Sequence, residues 1–255
     1  MRGIGLATYM DLLLRDFLPG IFVVAGFVFF VRERGVLPEI TPRRARLELA
    51  ASITVVLITF VGAWLVFSVF YREGVVIWFD SVFYPKQFLP PLIDFIVIVP
   101  VLIVVGLLRM WGRSIRLTRS HWRFSVLLGL VASIFLAFPV LDNSVVQRLE
   151  LMGAMNVALT LASTFGEALI FRGMLQPLLE RFLGTNIGIV CSSVVFLAWH
   201  APLWFIGYGY SPSEFVLAVI AILPVALSYG YIAQRSDNLA GSILLQILYD
   251  LPRIV

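Results

Sequence analysis

Eight apolar segments follow one another along the chain, and short polar or arginine-bearing loops separate them. The hydrocarbon core of a bilayer needs about 20 helical residues, and most of the segments are long enough to cross it. The pattern therefore predicts an all-α fold: a polytopic helical membrane protein with about eight transmembrane helices, in a single membrane domain spanning residues 1–255. The predicted spans are Phe17–Val31, Leu49–Phe70, Leu92–Leu108, Phe124–Leu141, Ala154–Phe171, Ile187–Ile206, Phe215–Ala233 and Leu239–Leu251.

Four local signals refine this arrangement. The fifth span should continue past Arg172 as an amphipathic helix to Leu183. The segment GVVIWFDSVFYP at residues 74–85 is too short to cross and has the aromatic content of an interfacial segment. The sequence SPSE at residues 211–214 has the pattern of a capping box that opens span seven. Pro202 lacks a backbone N–H and should end or kink span six.

Composition supports the membrane assignment and excludes other classes. Hydrophobic residues make up 60% of the chain and charged residues only 13%, against about 25% charged residues in soluble domains. The formal charge of +4 does not indicate nucleic-acid binding, because the arginines lie in short loops between apolar spans. Cys191 is the single cysteine, so no intrachain disulfide can form. An integral, multi-pass protein of a prokaryotic plasma membrane is expected.

The distribution of basic residues predicts an orientation. Thirteen of the nineteen lysines and arginines fall on one side of the predicted topology, and cytoplasmic loops carry the excess of such residues. The turn at Gly184 should then face the cytoplasm, and both termini should face outward. The thirteen are Arg32, Arg34, Arg43, Arg44, Arg46, Arg109, Arg113, Arg116, Arg119, Arg123, Arg172, Arg181 and Arg235.

One carboxylate and one imidazole lie inside strongly apolar segments on either side of a predicted turn at residues 183–186. Glu167 and His200 are each about sixteen positions from this turn. At about 1.5 Å rise per residue, both lie about 24 Å from it. An antiparallel helix hairpin would therefore bring Glu167 and His200 face to face. Ionisable residues within apolar spans are costly, which makes this pair the candidate site.

Each candidate also has a purely structural explanation. Glu167 must be neutral, paired or wetted by a cavity, and a carboxylate that only bonds a neighbouring helix would satisfy the same requirement. A lone histidine on a helix is more often a packed core residue than a catalytic one, and only the matched depth with Glu167 favours a role for His200. His121, the other histidine, is expected to be an ordinary interfacial residue.

Three more polar residues complete the candidate set. Gln246 and Asp250 lie four positions apart in the last span and hence on one helical face. Asp250 either lines the same polar cavity or pairs with Arg253 at the end of the span. Arg172 lies five positions after Glu167, about 140° around an α-helix, so its partner is expected on another helix or in a lipid headgroup.

Three short sequences from these spans resemble the motifs of one protein family. GEALIFRG, FLAWH and QILYD are similar to the EExxxR, FxxxH and HxxxN or HxxxD motifs of the CPBP family (CAAX protease and bacteriocin-processing, or Abi). These are intramembrane endopeptidases and include the Rce1-type prenyl-protein proteases. The resemblance implies a CPBP-like core at residues 154–251. The matching positions are Glu167 and Arg172 in the first motif, Phe196 and His200 in the second, and Asp250 in the third.

The resemblance also implies a chemistry. In the family, the first glutamate and the second-motif histidine activate water, and the third-motif pair stabilises the oxyanion. Glu167 and His200 keep the water-activating pair, and Gln246 and Asp250 take the oxyanion positions. Two departures bear on activity, because Ala168 replaces the usual second glutamate and Gln246 replaces a histidine. The Gln246 amide can donate to an oxyanion but cannot carry a proton.

No cofactor is expected. The family has been described as metal-dependent, and catalytic zinc usually takes three protein ligands and a water. Here Glu167 and His200 have only Asp250 as a possible third ligand, which makes zinc binding unfavourable. The resemblance together with this ligand set indicates metal-free hydrolysis.

The leading hypothesis is an intramembrane, glutamate-dependent endopeptidase that hydrolyses a peptide bond of a membrane-associated substrate, with a prenylated peptide as one candidate. Its partners would be that membrane-anchored peptide or protein and the lipid bilayer. A second hypothesis is a catalytically impaired relative that binds or regulates other membrane proteins. A third is a proton-linked transporter using Glu167, which the lack of an inverted repeat disfavours.

Overall fold

The computed structural model describes residues 13–31, 41–70, 99, 116, 121–137 and 154–254. Nearly all of them are helical, and none of the described residues lies in a β-strand. The prediction of an all-α fold is therefore confirmed. The interfacial segment at residues 74–85 and, apart from residue 99, the third predicted span Leu92–Leu108 lie outside the described residues.

Eight α-helical segments and three π-helical stretches make up the described part of the chain. Segments α4, π2 and α5 form one continuous helix, which confirms that the fifth span continues to Leu183. The segments are π1 (Leu13–Phe17), α1 (Leu18–Phe30), α2 (Pro42–Phe70), α3 (Trp122–Leu136), α4 (Ala154–Glu167), π2 (Ala168–Leu175), α5 (Gln176–Leu183), α6 (Thr185–Trp199), π3 (Leu203–Gly207), α7 (Pro212–Ser236) and α8 (Ala240–Ile254).

Three of the described helices are long and apolar enough to cross a membrane, namely Ala45–Val69, Thr185–Gly207 and Pro212–Ser236. Helices α1 and α3 are also apolar but shorter. Large apolar side chains are exposed along these helices, as expected where lipid rather than water surrounds them. The chain is an integral membrane protein.

Helix α2 begins earlier than the apolar pattern predicts, at Pro42 instead of Leu49. Arg43 and Arg46 therefore lie in its first turns and not in a loop. The reason is local: proline is favoured at the first helical position and arginine is a good helix former, so the helix extends beyond the apolar stretch. The Ala45 N–H already donates to the Thr41 carbonyl at 2.9 Å.

The turn of the central hairpin is shorter than the four residues predicted for it. Helix α5 ends at Leu183 and α6 begins at Thr185, so Gly184 alone connects them. Its φ of +84° lies in the region that disfavours side chains, and glycine adopts it without a Cβ clash. The two helices pack against each other, and we call the unit of α4, π2, α5 and α6 the helix hairpin.

Both π-helical stretches of the C-terminal half lie beside a proline. Pro177 follows π2 in the first turn of α5, and Pro202 directly precedes π3. Proline cannot donate a backbone hydrogen bond, and its ring clashes with the carbonyl four residues earlier, so a wider turn relieves both problems. The predicted break at Pro202 is confirmed, because α6 ends at Trp199 and His200 adopts a turn.

Helix α7 occupies the centre of the described helices and contacts α1, α3, α6 and α8. Its predicted capping box is present: the Ser211 N–H donates to Glu214 Oε2 at 2.7 Å, and the Glu214 N–H donates to Ser211 Oγ at 3.4 Å. Gly20 of α1 lies directly against Pro224, where any side chain would overlap the proline ring. The absence of a side chain at Gly20 therefore lets α1 pack closely against α7.

A buried ion pair lies near the turn of the hairpin and corrects one expectation. The sequence places Arg116 in the basic loop after the third span, where a solvated side chain is usual, yet it is only 1% exposed. Its guanidinium donates to Glu180 Oε2 at 2.6 Å and to Oε1 at 3.3 Å, and it lies 3.7 Å from Asp237 Oδ1. Gln176 also donates to Glu180 Oε1 at 2.7 Å. Arg116 is buried because these acceptors replace its hydration.

Candidate active site

Glu167 and His200 meet across the helix hairpin. Glu167 is the last residue of α4, and His200 follows the last residue of α6. Their side chains approach to 4.0 Å between Glu167 Oε1 and His200 Nε2. The predicted face-to-face placement is therefore present, and it follows from the equal lengths of the two arms about Gly184.

The two oxygens of Glu167 have different environments. Gln246 Nε2 donates to Oε2 at 2.6 Å, a short bond of the charge-assisted kind. Oε1 has a longer contact of 3.4 Å from Ser163 Oγ, one helical turn earlier on α4, and faces His200. The side chain is nearly buried, at 5% exposure. Gln246 thus fixes one oxygen, and the other remains available for chemistry.

His200 Nδ1, the ring nitrogen that does not face Glu167, has a hydrogen bond that defines the tautomer of the imidazole. His200 Nδ1 lies 2.9 Å from the carbonyl oxygen of Phe196. A carbonyl can only accept, so Nδ1 must carry the proton. In the neutral imidazole, Nε2 is then the unprotonated nitrogen, and this is the atom that faces Glu167 Oε1. The arrangement gives two acceptors that point at one another across a gap.

Aromatic rings frame the imidazole. The rings of Phe196 and Trp199 lie edge-on to it, with 4.7 Å and 5.3 Å between ring centroids. The ring of Trp204 is tilted, and its centroid lies 6.0 Å from that of the imidazole. His200 keeps 17% side-chain exposure, more than Glu167 has. Rings on several sides limit how far the imidazole can rotate, so its hydrogen bond to Phe196 is held in place.

Arg172 lies in π2 and bonds to neighbouring helices, as the spacing from Glu167 predicts. Its guanidinium donates to Ser193 Oγ at 3.1 Å, to Ser192 Oγ at 3.3 Å and to the Ala226 carbonyl at 2.9 Å. It is fully buried, and its guanidinium carbon lies over the Phe196 ring, 5.1 Å from the ring centroid. These partners are neutral, so Arg172 brings a positive charge into the site and joins π2 to α6 and α7.

The last helix contributes Gln246 and Asp250 to the site. Gln246 is buried, and its amide reaches Glu167 directly. Asp250, one turn further along α8, is partly buried and lies within electrostatic range of Glu167. This location is compatible with a cavity-lining position. The side chain of Arg253, the alternative partner, is outside the described residues.

The described residues contain no group of three His, Cys, Asp or Glu side chains that could hold a metal ion. Gln246 presents its amide nitrogen to Glu167, and an amide N–H is a hydrogen-bond donor and not a metal ligand.

Sequence reasoning missed four residues at the site, and only one of them had a recognisable signal in the sequence. Ser163 lies four positions before Glu167, and this spacing on one helical face was a usable signal. Ser192 and Ser193, the partners of Arg172, had no distinguishing pattern. The same holds for Thr59, whose hydroxyl accepts from the Trp199 indole 140 positions away.

These observations define a class: a helical membrane protein with a buried carboxylate and a tautomer-fixed imidazole facing each other within the apolar spans. Residues 150–252 match the family model described as type II CAAX prenyl endopeptidase Rce1-like. This match confirms the resemblance of residues 150–252 to the Rce1-like group of the CPBP family. Neither curated proteins nor solved structures give a match to the chain. Helices α1 to α3 lie outside the matched range.

Proposed function

We propose that the chain is an intramembrane, glutamate-dependent endopeptidase in which Glu167 and His200 activate a water molecule. The observation that carries the proposal is the 4.0 Å gap between Glu167 Oε1 and His200 Nε2. A water with hydrogen bonds of about 2.8 Å to both atoms fits across such a gap. Its two hydrogens would point to the two acceptors, which leaves its lone pairs free for attack on a carbonyl carbon.

The proton balance assigns a role to each group. As the water oxygen bonds to the peptide carbonyl carbon, its proton passes to the Glu167 carboxylate, which acts as general base. The tetrahedral intermediate collapses when that proton reaches the leaving amine, and His200 Nε2 is placed to carry it. The Nδ1–H bond to Phe196 keeps His200 in the tautomer that this transfer requires.

Gln246 and Asp250 are proposed to serve the developing oxyanion. The Gln246 amide has two hydrogens, and its bond to Glu167 Oε2 uses only one. The second can donate to an oxyanion beside the carboxylate. Asp250 contributes a donor there only in its protonated form. Arg172 touches none of the reacting groups in this scheme, and its buried positive charge supports the anionic states from a distance.

The substrate is proposed to be a peptide held at the membrane, and a prenylated tail is one candidate because the matched family model is named for that activity. The ligand set around Glu167 supports hydrolysis without a metal. A prokaryotic plasma membrane is the proposed location, and the whole chain is proposed to act as one membrane domain around the core at residues 154–251.

The second candidate function is a non-catalytic relative that binds membrane proteins. One observation favours it: Ala168, which stands at the usual second glutamate, is buried in the apolar interior and brings no charge to the site. With one carboxylate fewer, the protein would retain the fold without turnover.

Product analysis in isotopically labelled water separates these candidates. The purified protein in lipid nanodiscs is incubated with membrane-anchored and prenylated peptides in water enriched in oxygen-18, and the products are analysed by mass spectrometry. A hydrolase places one labelled oxygen in the new terminal carboxylate. A wild type that cuts no peptide, beside an Ala168→Glu, Gln246→His variant that cuts one, would favour the binding protein.

A further inference from the structure

A hydrogen bond from α2 reaches the residue next to the candidate imidazole. Trp199 Nε1 donates to Thr59 Oγ1 at 3.1 Å, and both side chains are buried. Thr59 lies in the middle of α2, within the candidate membrane span Ala45–Val69 and outside the matched domain at residues 150–252. Helix α2 also contacts π2 and π3, the two stretches that flank the site.

The direction of this bond is fixed on both sides. The indole nitrogen of Trp199 is a donor only. The Thr59 hydroxyl lies 3.0 Å from the carbonyl oxygens of Val55 and Val56, which can only accept, so its own proton points back along α2. Thr59 therefore presents a lone pair to Trp199, and a residue without that oxygen would leave the indole N–H buried and unpaired.

Trp199 in turn packs against the imidazole. Its ring lies edge-on to His200, with 5.3 Å between centroids and an interplanar angle of 81°. The indole also contacts Phe171 of π2, with 5.9 Å between ring centroids, and Phe171 contacts Phe196 at 5.3 Å. The His200 imidazole thus has one hydrogen bond, to the Phe196 carbonyl. The aromatic rings packed around it depend on Trp199 for their position.

We propose that Thr59 is a positioning residue for His200: its hydroxyl holds the Trp199 indole, and the indole holds the imidazole with Nε2 directed at Glu167. The N-terminal part of the chain, which the family match does not cover, thereby contributes to the candidate active site. The kinetic part of this inference rests on the proposed peptidase function, whereas the geometric part does not.

The geometric part is tested without substrate through the reactivity of His200. Diethyl pyrocarbonate modifies unprotonated imidazole nitrogens, and mass spectrometry measures the rate at each histidine of the full-length protein in nanodiscs. The chain has only two histidines, so exposed His121 is an internal reference. Thr59→Val removes the acceptor with little change in shape, and Thr59→Ser retains it as the matched control.

Thr59→Val should raise the modification rate of His200 by about fivefold, the change in local opening that one lost hydrogen bond produces. His121 should be unchanged, and Thr59→Ser should behave as the wild type. Trp199→Phe, which removes the donor, should raise the rate as well, and adding Thr59→Val to it should have no further effect. An unchanged His200 rate in Thr59→Val overturns the proposal, and so does an equal rise in Thr59→Ser or at His121.

The kinetic part uses the same variants once a cleaved peptide is known. Thr59→Val should lower kcat by about tenfold or more, because misplacing a catalytic group by a fraction of an ångström has effects of this size. KM should not change, and Thr59→Ser should restore kcat. A rise in KM with unchanged kcat contradicts the positioning role. A peptide that the Ala168→Glu, Gln246→His variant cuts and the wild type does not would refute the peptidase function but leave the His200 reactivity result standing.

Discussion

His200 Nε2 lies 4.0 Å from Glu167 Oε1, although a complete helix hairpin separates the two residues in the chain. The distance is too long for a direct hydrogen bond and suits a bridging water. Since His200 Nδ1 is occupied by the Phe196 carbonyl, Nε2 is the nitrogen that can accept from such a water. This geometry supports the water-activating role that we propose for the pair.

Gln246 provides the first prediction. Gln246→Leu keeps the approximate volume but removes the 2.6 Å bond to Glu167 Oε2 and the second amide hydrogen. An oxyanion donor contributes about a hundredfold in kcat, so we expect a loss of that order. Gln246→His restores a ring donor, and its rate should exceed that of the wild type. Cleavage assays on both variants check this, and a Gln246→Leu variant with the wild-type rate would show that the amide has no role.

Asp250 should be replaceable. Asp250→Asn has the same shape, and its amide can donate to an oxyanion without first taking up a proton. We expect kcat/KM within about threefold of the wild type, whereas Asp250→Leu should lose more because it removes every polar contact. Steady-state kinetics on the two variants provide the comparison. Equal losses in both would mean that the negative charge itself is required.

The orientation of the hairpin is open to direct measurement. A cysteine is best placed at Leu183, which is exposed beside the turn, because Gly184 has a positive φ that disfavours side chains. In a Cys191→Ala background, Leu183→Cys should react with a membrane-impermeant maleimide only in inverted vesicles. Ser213 lies at the start of α7, which the predicted topology places on the outer side of the membrane. Ser213→Cys should therefore react only in intact cells. The reverse pattern would invert the predicted topology.

The Arg116–Glu180 pair should matter for stability and not for chemistry. Glu180→Gln leaves a buried guanidinium without its main counter-charge, and breaking such a pair costs about 3 to 5 kcal/mol. We expect a thermal midpoint several degrees lower in detergent. The double variant Glu180→Gln, Arg116→Met should recover part of the loss, since no unpaired charge remains. A Glu180→Gln protein as stable as the wild type would refute a stabilising ion pair.

Much of the fold was predictable because helices have a fixed rise. Apolar length alone located α7, and counting outward from the turn placed Glu167 opposite His200. The predicted turn was longer than the observed one, because Thr185 and Asn186 belong to the first turn of α6. Helix α2 began early because proline and arginine support helix without being apolar.

Contacts between distant helices were not predictable from periodicity. Nothing in the sequence distinguishes Arg116 from the other loop arginines, yet it forms a buried ion pair with Glu180. Thr59 resembles any polar residue in an apolar span until its acceptor role toward Trp199 is seen. Such pairings depend on how helices pack, which local patterns do not encode.

The measurement that tests the central claim most directly is the cleavage rate of Glu167→Gln beside that of Glu167→Asp. Glutamine is nearly isosteric and can still bond to Gln246, but it cannot accept a proton from water. We expect Glu167→Gln to abolish cleavage of any peptide that the wild type cuts, and Glu167→Asp to retain a small fraction of the rate because the base is present but displaced. Cleavage by Glu167→Gln at the wild-type rate would contradict the account.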